Sequence, residues 1–282
     1  MTPIIETPLA GGDLIRHIIS DTDRYNLHSH TQFCDGHAPM EEMALAASES
    51  GMLWYAFSPH SPITVESGCN MSLDSVGAYL MEVDRLREVH ADGEMRLLAS
   101  MEIDYISRDW GPHIDTFQRM PLDFSIGSVH FVPTRDGVPV DCDGRFERFS
   151  RNLKEAFGGD IRYVVEKYFE QLLTMMELGG FDLLGHADKI AANAAQADPG
   201  IEDQRWYEAL IDDVVSHTVS GGYMAEINTK AYKETGRFFP ALRWWPKFRE
   251  AGIPFAVDSD AHWPDRIGYG RREALDLLAD LR

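Results

Sequence analysis

The sequence predicts an α/β fold in which seven parallel strands, each followed by helix or loop, close into a barrel. Strand-like apolar runs alternate with helix-period segments along the chain. Six of those runs end on, or are followed at once by, a histidine or an acid. No composition break, low-complexity linker or internal repeat divides the chain, so the expected organisation is one domain over residues 1–282. Alternating strands and helices imply parallel pairing with right-handed crossovers, and seven in succession favour a closed barrel over an open sheet. In such barrels the chemistry gathers at the C-terminal strand ends.

Residues 1–24 mix Pro, Gly, Asp and Thr around a short apolar turn and read as a lead-in, with His17 incidental. The first strand covers 25–30. A loop over 32–38 follows, then a helix opened by Pro39 with Glu41 and Glu42 in its first turn and ended by Gly51. The second strand is 53–58, and a long loop over 59–71 leads to a helix over 72–90, where Val76, Leu80, Val83 and Leu86 recur at helical spacing. His90 at its end suits the helix dipole. The third strand is 96–102, an irregular stretch spans 103–120, the fourth strand is 124–131, and 133–144 is an excursion rich in turn residues.

Asp160 can cap the next helix, which stops at Gly179-Gly180, with Met175-Met176 as core. Strand five is 181–186, a helix covers 206–219, and strand six is 223–228. The following helix either runs over 242–251 or starts at Pro246 within it; Trp244-Trp245 there reads as packing. Strand seven is 253–257, and 271–281 closes the chain. His113 and His217 are assigned no ligand role.

A chain of 282 residues with 44% hydrophobic residues is a globular composition with room for a substantial core. No run reaches the ~20 apolar residues that span a bilayer, and no secretory signal pattern opens the sequence. Cys34, Cys69 and Cys142 show no paired spacing, which argues for a reducing compartment; the expected location is the cytoplasm. A formal net charge of −20 without a basic stripe disfavours nucleic acid as the main partner.

The chemistry concentrates in the strand ends. His28 and His30, two apart in an extended segment, project to one face and form a bite for a metal ion. Asp260 and His262 repeat that spacing near the other end, and Glu102, His130 and His186 each finish an apolar run, while His60 follows another. Any one histidine standing alone would more often be a structural residue, but their recurrence at matching strand ends points to one polynuclear metal site. Imidazoles and carboxylates without a thiolate cluster suit zinc, manganese or iron rather than a closed structural zinc site.

His28-Ser-His30, Phe57-Ser-Pro-His60, Met101-Glu-Ile-Asp-Tyr105, Ile126-Gly-Ser-Val-His130, Leu184-Gly-His186, Glu226-Ile-Asn228 and Ser259-Asp-Ala-His262 resemble, in order, the motifs of the polymerase and histidinol phosphatase (PHP) superfamily. More narrowly, they resemble its histidinol-phosphate phosphatases. The resemblance runs from about residue 25 to 270. It implies a distorted (β/α)7 TIM-like barrel holding three divalent ions at the C-terminal strand ends. One ion would take His28, His30, Glu102 and Asp260; a second would share Glu102 and add His130 and His186; the third would take His60, His262 and a residue of the loop after His30. For that last ligand the family position falls on Asp35 or Gly36; glycine has no side chain, so Asp35 is preferred, with His37 as the alternative. Pro59 stands where the family often has an acid, so support for His60 must come from elsewhere.

By this resemblance the chain is a phosphomonoesterase of histidine biosynthesis, converting L-histidinol phosphate to L-histidinol and phosphate, with Glu102, Asp260 and His262 as catalytic residues. Two ions sharing Glu102 would lower the pKa of a bridging water, and the hydroxide would attack phosphorus in line with the leaving alkoxide. Lys189, Lys230, Arg237 and Arg266 are the candidate phosphate contacts. Asp104, Tyr105, Trp110 and Glu66 are available for the ammonium and imidazole of the substrate, and the sequence does not choose among them. Two other readings stand beside this: a phosphoesterase of the same superfamily acting on a nucleotide or an oligonucleotide 3′ end, and a metal-binding module that has lost catalysis.

Overall fold

The computed structural model describes residue 9 and residues 11–281. The rest of the expected lead-in, residues 1–8 and 10, lies outside the described residues. Its remainder departs from expectation: Gly11–Asp21 is a helix, and it buries Leu14, Ile15 and Ile18 against Leu27, Ala56, Leu98, Ile126 and Leu183. Three apolar residues within five positions are enough to seat one short helix over the N-terminal ends of the strands, a signal easily lost beside the flanking glycines.

The strands are β1 (Tyr25–Asn26), β2 (Trp54–Phe57), β3 (Arg96–Ala99), β4 (Glu102–Asp104), β5 (Ile126–Ser128), β6 (Phe131–Pro133), β7 (Pro139–Asp141), β8 (Leu183–Leu184), β9 (Met224–Asn228) and β10 (Phe255–Asp258). Two parallel sheets result, one in the order β1-β2-β3 and the other in the order β10-β9-β8-β5-β4, with β6 and β7 forming a separate antiparallel hairpin. The run expected as a single third strand is therefore split at Ser100-Met101, its first half pairing with β2 and its second with β5. The turn-rich excursion is partly the hairpin, and the fourth strand breaks at Val129-His130 to enter it.

Isolated parallel bridges join the sheet margins: Ser29 with Ala261 on one side and His60 with Glu102 on the other. Along the first of these seams, side chains do much of the pairing. Leu27 N donates to Asp258 Oδ1 at 2.6 Å, Ser259 N to Asn26 Oδ1 at 2.8 Å, and Val257 N to the Tyr25 hydroxyl at 3.0 Å. These bonds satisfy backbone groups that neighbouring strands would otherwise pair.

Helices cover the outer faces of both sheets. Met40–Glu49 and Val76–Val89 pack Met43, Ala47, Tyr79, Val83 and Leu86 against Tyr55 and Phe57. Ile161–Leu178 and Arg205–Gly221 build the largest cluster, with Phe169, Leu172, Tyr207 and Ile211 against Leu184 and Ala225. Asp160 caps the former by accepting from Tyr163 N at 3.1 Å, and Met175, Met176, Trp244 and Trp245 are buried core. Pro246 sits in the first turn of Trp245–Glu250, after a 3-10 turn over Leu242–Trp244. Besides Gly11–Asp21, unexpected helices include Phe146–Phe157 and Ala191–Ala197. Phe146–Phe157 buries only Phe149 and Phe157 on a largely charged surface, so its apolar stripe is sparse in sequence. No helix among the described residues is long and apolar enough to cross a membrane.

Arg271 ties the last helix to both ends of the seam. It is 4% exposed; its Nε donates to Val257 O at 2.8 Å, its Nη2 to Asp23 O at 3.2 Å, and its guanidinium lies 4.8 Å above the Tyr25 ring. Arg271→Leu leaves two carbonyls without that charged donor, so equilibrium denaturation should show a loss of about 2–3 kcal/mol. An unchanged stability would mean that the seam holds without the arginine.

Candidate metal centre

Five imidazoles converge on Glu102, which the break after β3 sets at the start of β4. Glu102 Oε1 is 2.8 Å from His186 Nε2 and 3.5 Å from His130 Nε2; Oε2 is 3.0 Å from His60 Nδ1, 3.3 Å from His28 Nε2 and 3.6 Å from His30 Nε2. Burial alone would raise this carboxyl, yet the imidazoles of His60, His28 and His130 hold it well below the usual range. Around it lie ligand sets within metal-binding reach: His28, His30 and Asp260; Glu102, His130 and His186; and Asp35 with His30, His60 and His262.

The structure thus brings all nine expected ligand positions into one constellation. It also separates the two candidates in the loop after His30. Asp35 Oδ1 stands 3.3 Å from His262 Nε2, 3.6 Å from His30 Nδ1 and 3.8 Å from His60 Nε2, whereas His37 is exposed and stacks on Trp263 at 4.0 Å. Gly36 is required beside it. A Cβ there would meet Thr31 N at 2.3 Å and His30 C at 2.5 Å, so only glycine lets the loop fold back on the histidine pair. Asp260, just beyond the expected strand 253–257, has φ 49°, a left-handed conformation found chiefly for Gly, Asn and Asp. This turn aims its carboxylate at His30 Nε2, 3.0 Å away.

Three buried polar atoms of this cluster have no hydrogen-bond partner: Asp35 Oδ1, His60 Nδ1 and His186 Nδ1. Ring tautomers sharpen the point. His28 Nδ1 lies 2.7 Å from Glu226 Oε1 and His130 Nδ1 lies 2.6 Å from Asp104 Oδ1. A carboxylate only accepts, so both rings donate from Nδ1 and, when neutral, turn an Nε2 lone pair toward Glu102. His262 Nδ1 likewise donates to Asp260 O at 2.9 Å. Protonated, these rings pair with Glu102, which is how they hold its carboxyl low; in the neutral form their converging lone pairs would repel the carboxylate, and divalent cations between them would relieve that repulsion. The donor set fits ions of the zinc, manganese and iron class.

Glu226 and Asp104 were not assigned these roles from sequence. Glu226 is wholly buried and also accepts from His186 N at 2.7 Å, while Asp104 accepts from Asn70 Nδ2 at 2.8 Å. Asn228 Nδ2 donates to Asp260 Oδ2 at 3.1 Å. The usable signal was Glu226-Ile-Asn228 at a strand end, the same two-residue spacing as the histidine pair. With Pro59 in place of an acid, His60 finds its nearest carboxylate in Glu102. Burial opposes the protonated form of His130, but Asp104 and Glu102 outweigh it and push its pKa up to about 10.

Four of the nine, Asp35, His60, His130 and His262, border a cleft of ≈ 360 Å³, whose walls also include Asn70, Phe131, Asp141, Asp143, Arg148, Lys230 and Trp263. Lys230 Nζ is 3.2 Å from Asp260 Oδ1 and 3.2 Å from His262 Nε2; Lys189 Nζ is 3.8 Å from both Asp260 Oδ2 and Asp143 Oδ2. Burial opposes the Lys230 ammonium, but Asp260, Asp143 and Asp35 hold its pKa above the ordinary lysine value. Lys189 itself does not line the cleft, and two other expected phosphate contacts pair elsewhere. Arg237 is engaged by Glu202 at 2.5 Å and Arg266 by Glu234 at 2.9 Å, and neither borders the cleft. Each loop cation has found a carboxylate nearer than the site.

Comparisons with known proteins bear on the family and the fold. The PHP domain profile matches residues 26–230. A protein of Deinococcus radiodurans named probable histidinol-phosphatase is 26% identical over 264 residues, covering 90% of this chain and 92% of that protein. The crystal structure of hisK from Listeria monocytogenes matches with a TM-score of 0.77 at 21% identity, over 88% of this chain and 99% of the other. Histidinol phosphate phosphatase (HISK) from Lactococcus lactis subsp. lactis, complexed with zinc, L-histidinol and phosphate, matches with a TM-score of 0.70 at 18% identity, over 92% and 94% of the two chains. At these identities the two structures speak to the fold.

Groups that orient metal ligands typically change metal affinity 10–100-fold when altered. Glu226→Gln and Asp104→Asn should each weaken retention of a loaded divalent ion by about that factor, measured by chelator titration with elemental analysis. Retention equal to wild type would remove both from the scaffold of the site.

Proposed function

Because this chain belongs to the PHP domain family, we propose that it is a metal-dependent phosphomonoesterase that hydrolyses L-histidinol phosphate to L-histidinol and phosphate, a cytoplasmic step of histidine biosynthesis. The observation that carries this reading is the convergence of nine metal-ligand candidates beside a cleft of ≈ 360 Å³ that Asp35, His60, His130, His262 and Lys230 line, with Lys189 Nζ 3.8 Å from Asp260 Oδ2. The Lactococcus lactis relative, in complex with zinc, L-histidinol and phosphate, supports the substrate. The bridges Ser29–Ala261 and His60–Glu102 support reading the two sheets as arcs of one distorted (β/α)7 barrel, a single domain over residues 1–282.

In this proposal three divalent ions are held by His28, His30, Glu102 and Asp260; by Glu102, His130 and His186; and by Asp35, His60 and His262. When bound, such ions supply positive charge to phosphoryl oxygens and acidify a water to near neutral pKa. The chain's own residues position and select. Glu102 serves two ligand sets and keeps them adjacent. Asp260 and His262 stand beside Lys230, so that ligands and ammonium act on the same phosphoryl group. Lys189 and Lys230 oppose the negative charge that the acidic chain would otherwise present to a phosphate dianion. Their charge is most effective as negative charge develops on the phosphoryl oxygens in the transition state.

The test is phosphate release by metal-loaded protein, comparing L-histidinol phosphate with sugar phosphates, nucleotides and a short oligonucleotide. A preference for L-histidinol phosphate of about a hundredfold in kcat/KM, about 2.7 kcal/mol, is expected. A nucleotide or oligonucleotide winning by that margin would replace the substrate, and silence on every ester with metal bound would mark a non-catalytic module. Lys230→Ala and Lys189→Ala should each lower kcat/KM about tenfold, roughly 1.4 kcal/mol, through a raised KM, a lowered kcat or both; unchanged kinetics would remove them from the phosphate site.

A further inference from the structure

The cationic end of the substrate needs a carboxylate, and the four residues considered from sequence do not provide it. Asp104 is engaged by His130 and Asn70, Tyr105 is 1% exposed, Trp110 Nε1 donates to Pro62 O, and Glu66 does not border the cleft. Four aspartates do border it: Asp35, Asp104, Asp141 and Asp143. Asp35 lies among the metal-ligand imidazoles. Asp141 accepts from Asp143 N at 2.9 Å through Oδ1 and pairs with Arg148 at 2.8 Å through Oδ2. Asp143 is different. Its nearest cation is Lys189 at 3.8 Å, beyond hydrogen-bond distance, and its side chain stays 30% exposed.

Asp143 also stands at the right reach. Lys189 Nζ is 3.8 Å from Asp143 Oδ2 and 3.8 Å from the metal-ligand candidate Asp260, so one ammonium group spans from the loop to the cluster. In L-histidinol phosphate the amine lies two carbons from the ester oxygen, a similarly short span. Building on the phosphatase reading, we propose that Asp143 determines specificity by receiving the cationic end of the substrate, while the phosphoryl group lies on the metal ligands and lysines. Asp141, held by Arg148 and by the Asp143 amide, fixes the loop that presents it. The Lys189, His130 and Lys230 charges outweigh burial and hold the Asp143 carboxyl below its ordinary range, so the acceptor is ionised.

The experiment measures kcat/KM of the full, metal-loaded chain for L-histidinol phosphate and for glycerol phosphate, an ester of a neutral alcohol. In Asp143→Asn the ratio of the two should fall at least tenfold, and L-histidinol should inhibit at least tenfold more weakly. Asp143→Glu, which keeps the charge, should recover part of the ratio, and Glu147→Gln, exposed at the start of the neighbouring helix Phe146–Phe157, should match wild type. A wild-type protein that prefers L-histidinol phosphate together with an unchanged ratio in Asp143→Asn overturns the role of Asp143 and leaves the function standing. A wild-type protein with no preference overturns both.

Discussion

One buried carboxylate facing five imidazoles is the constraint around which the molecule is arranged. Glu102 lies within 3.6 Å of His28, His30, His60, His130 and His186. A charge taken so far from water persists only when paired and coordinated. The chain meets that demand by bringing ligands from six strand ends to one point, and the break at Ser100-Met101 is what lets a single run serve one sheet and still present Glu102 beside the other.

The imidazoles are fixed from behind. Glu226 and Asp104 accept ring protons on the side away from Glu102, and Glu226 also takes a main-chain amide. The site is thus layered: apolar helices bury the sheets, buried carboxylates set the rings, and the rings set where cations can sit. Such networks are stabilising when complete and costly when partly satisfied. Asp35 Oδ1, His60 Nδ1 and His186 Nδ1 have no hydrogen-bond partner within the protein.

Much of this was legible in the sequence because ligand chemistry leaves short, regular marks. Histidines and acids two apart, or ending an apolar run, can be read without knowing how the strands pair. What could not be read depends on pairing. The run expected as one strand over 96–102 gives no sign that it changes partners midway, and Asp260 gives no sign that its backbone turns left-handed. The helix Phe146–Phe157 hides its buried face among charges. Arg237 and Arg266 were plausible phosphate contacts only until Glu202 and Glu234, distant in sequence, proved to be their neighbours. Asp143 sat unnoticed in a turn-rich segment whose fold as a hairpin brings it to the cleft.

The seam between β1 and β10 joins residues 231 positions apart, and the bridge from Ser29 to Ala261 brings the histidine pair to Asp260 and His262. Ribosomal synthesis delivers those two halves at opposite ends of the process. The early histidines emerge into solvent long before the residues that complete their ligand set, so the assembled centre forms only after the polypeptide through His262 has left the exit tunnel. A metal ion held there would accordingly be selected by the finished fold from the ions available at that moment, the nascent chain offering only isolated, weaker ligands beforehand.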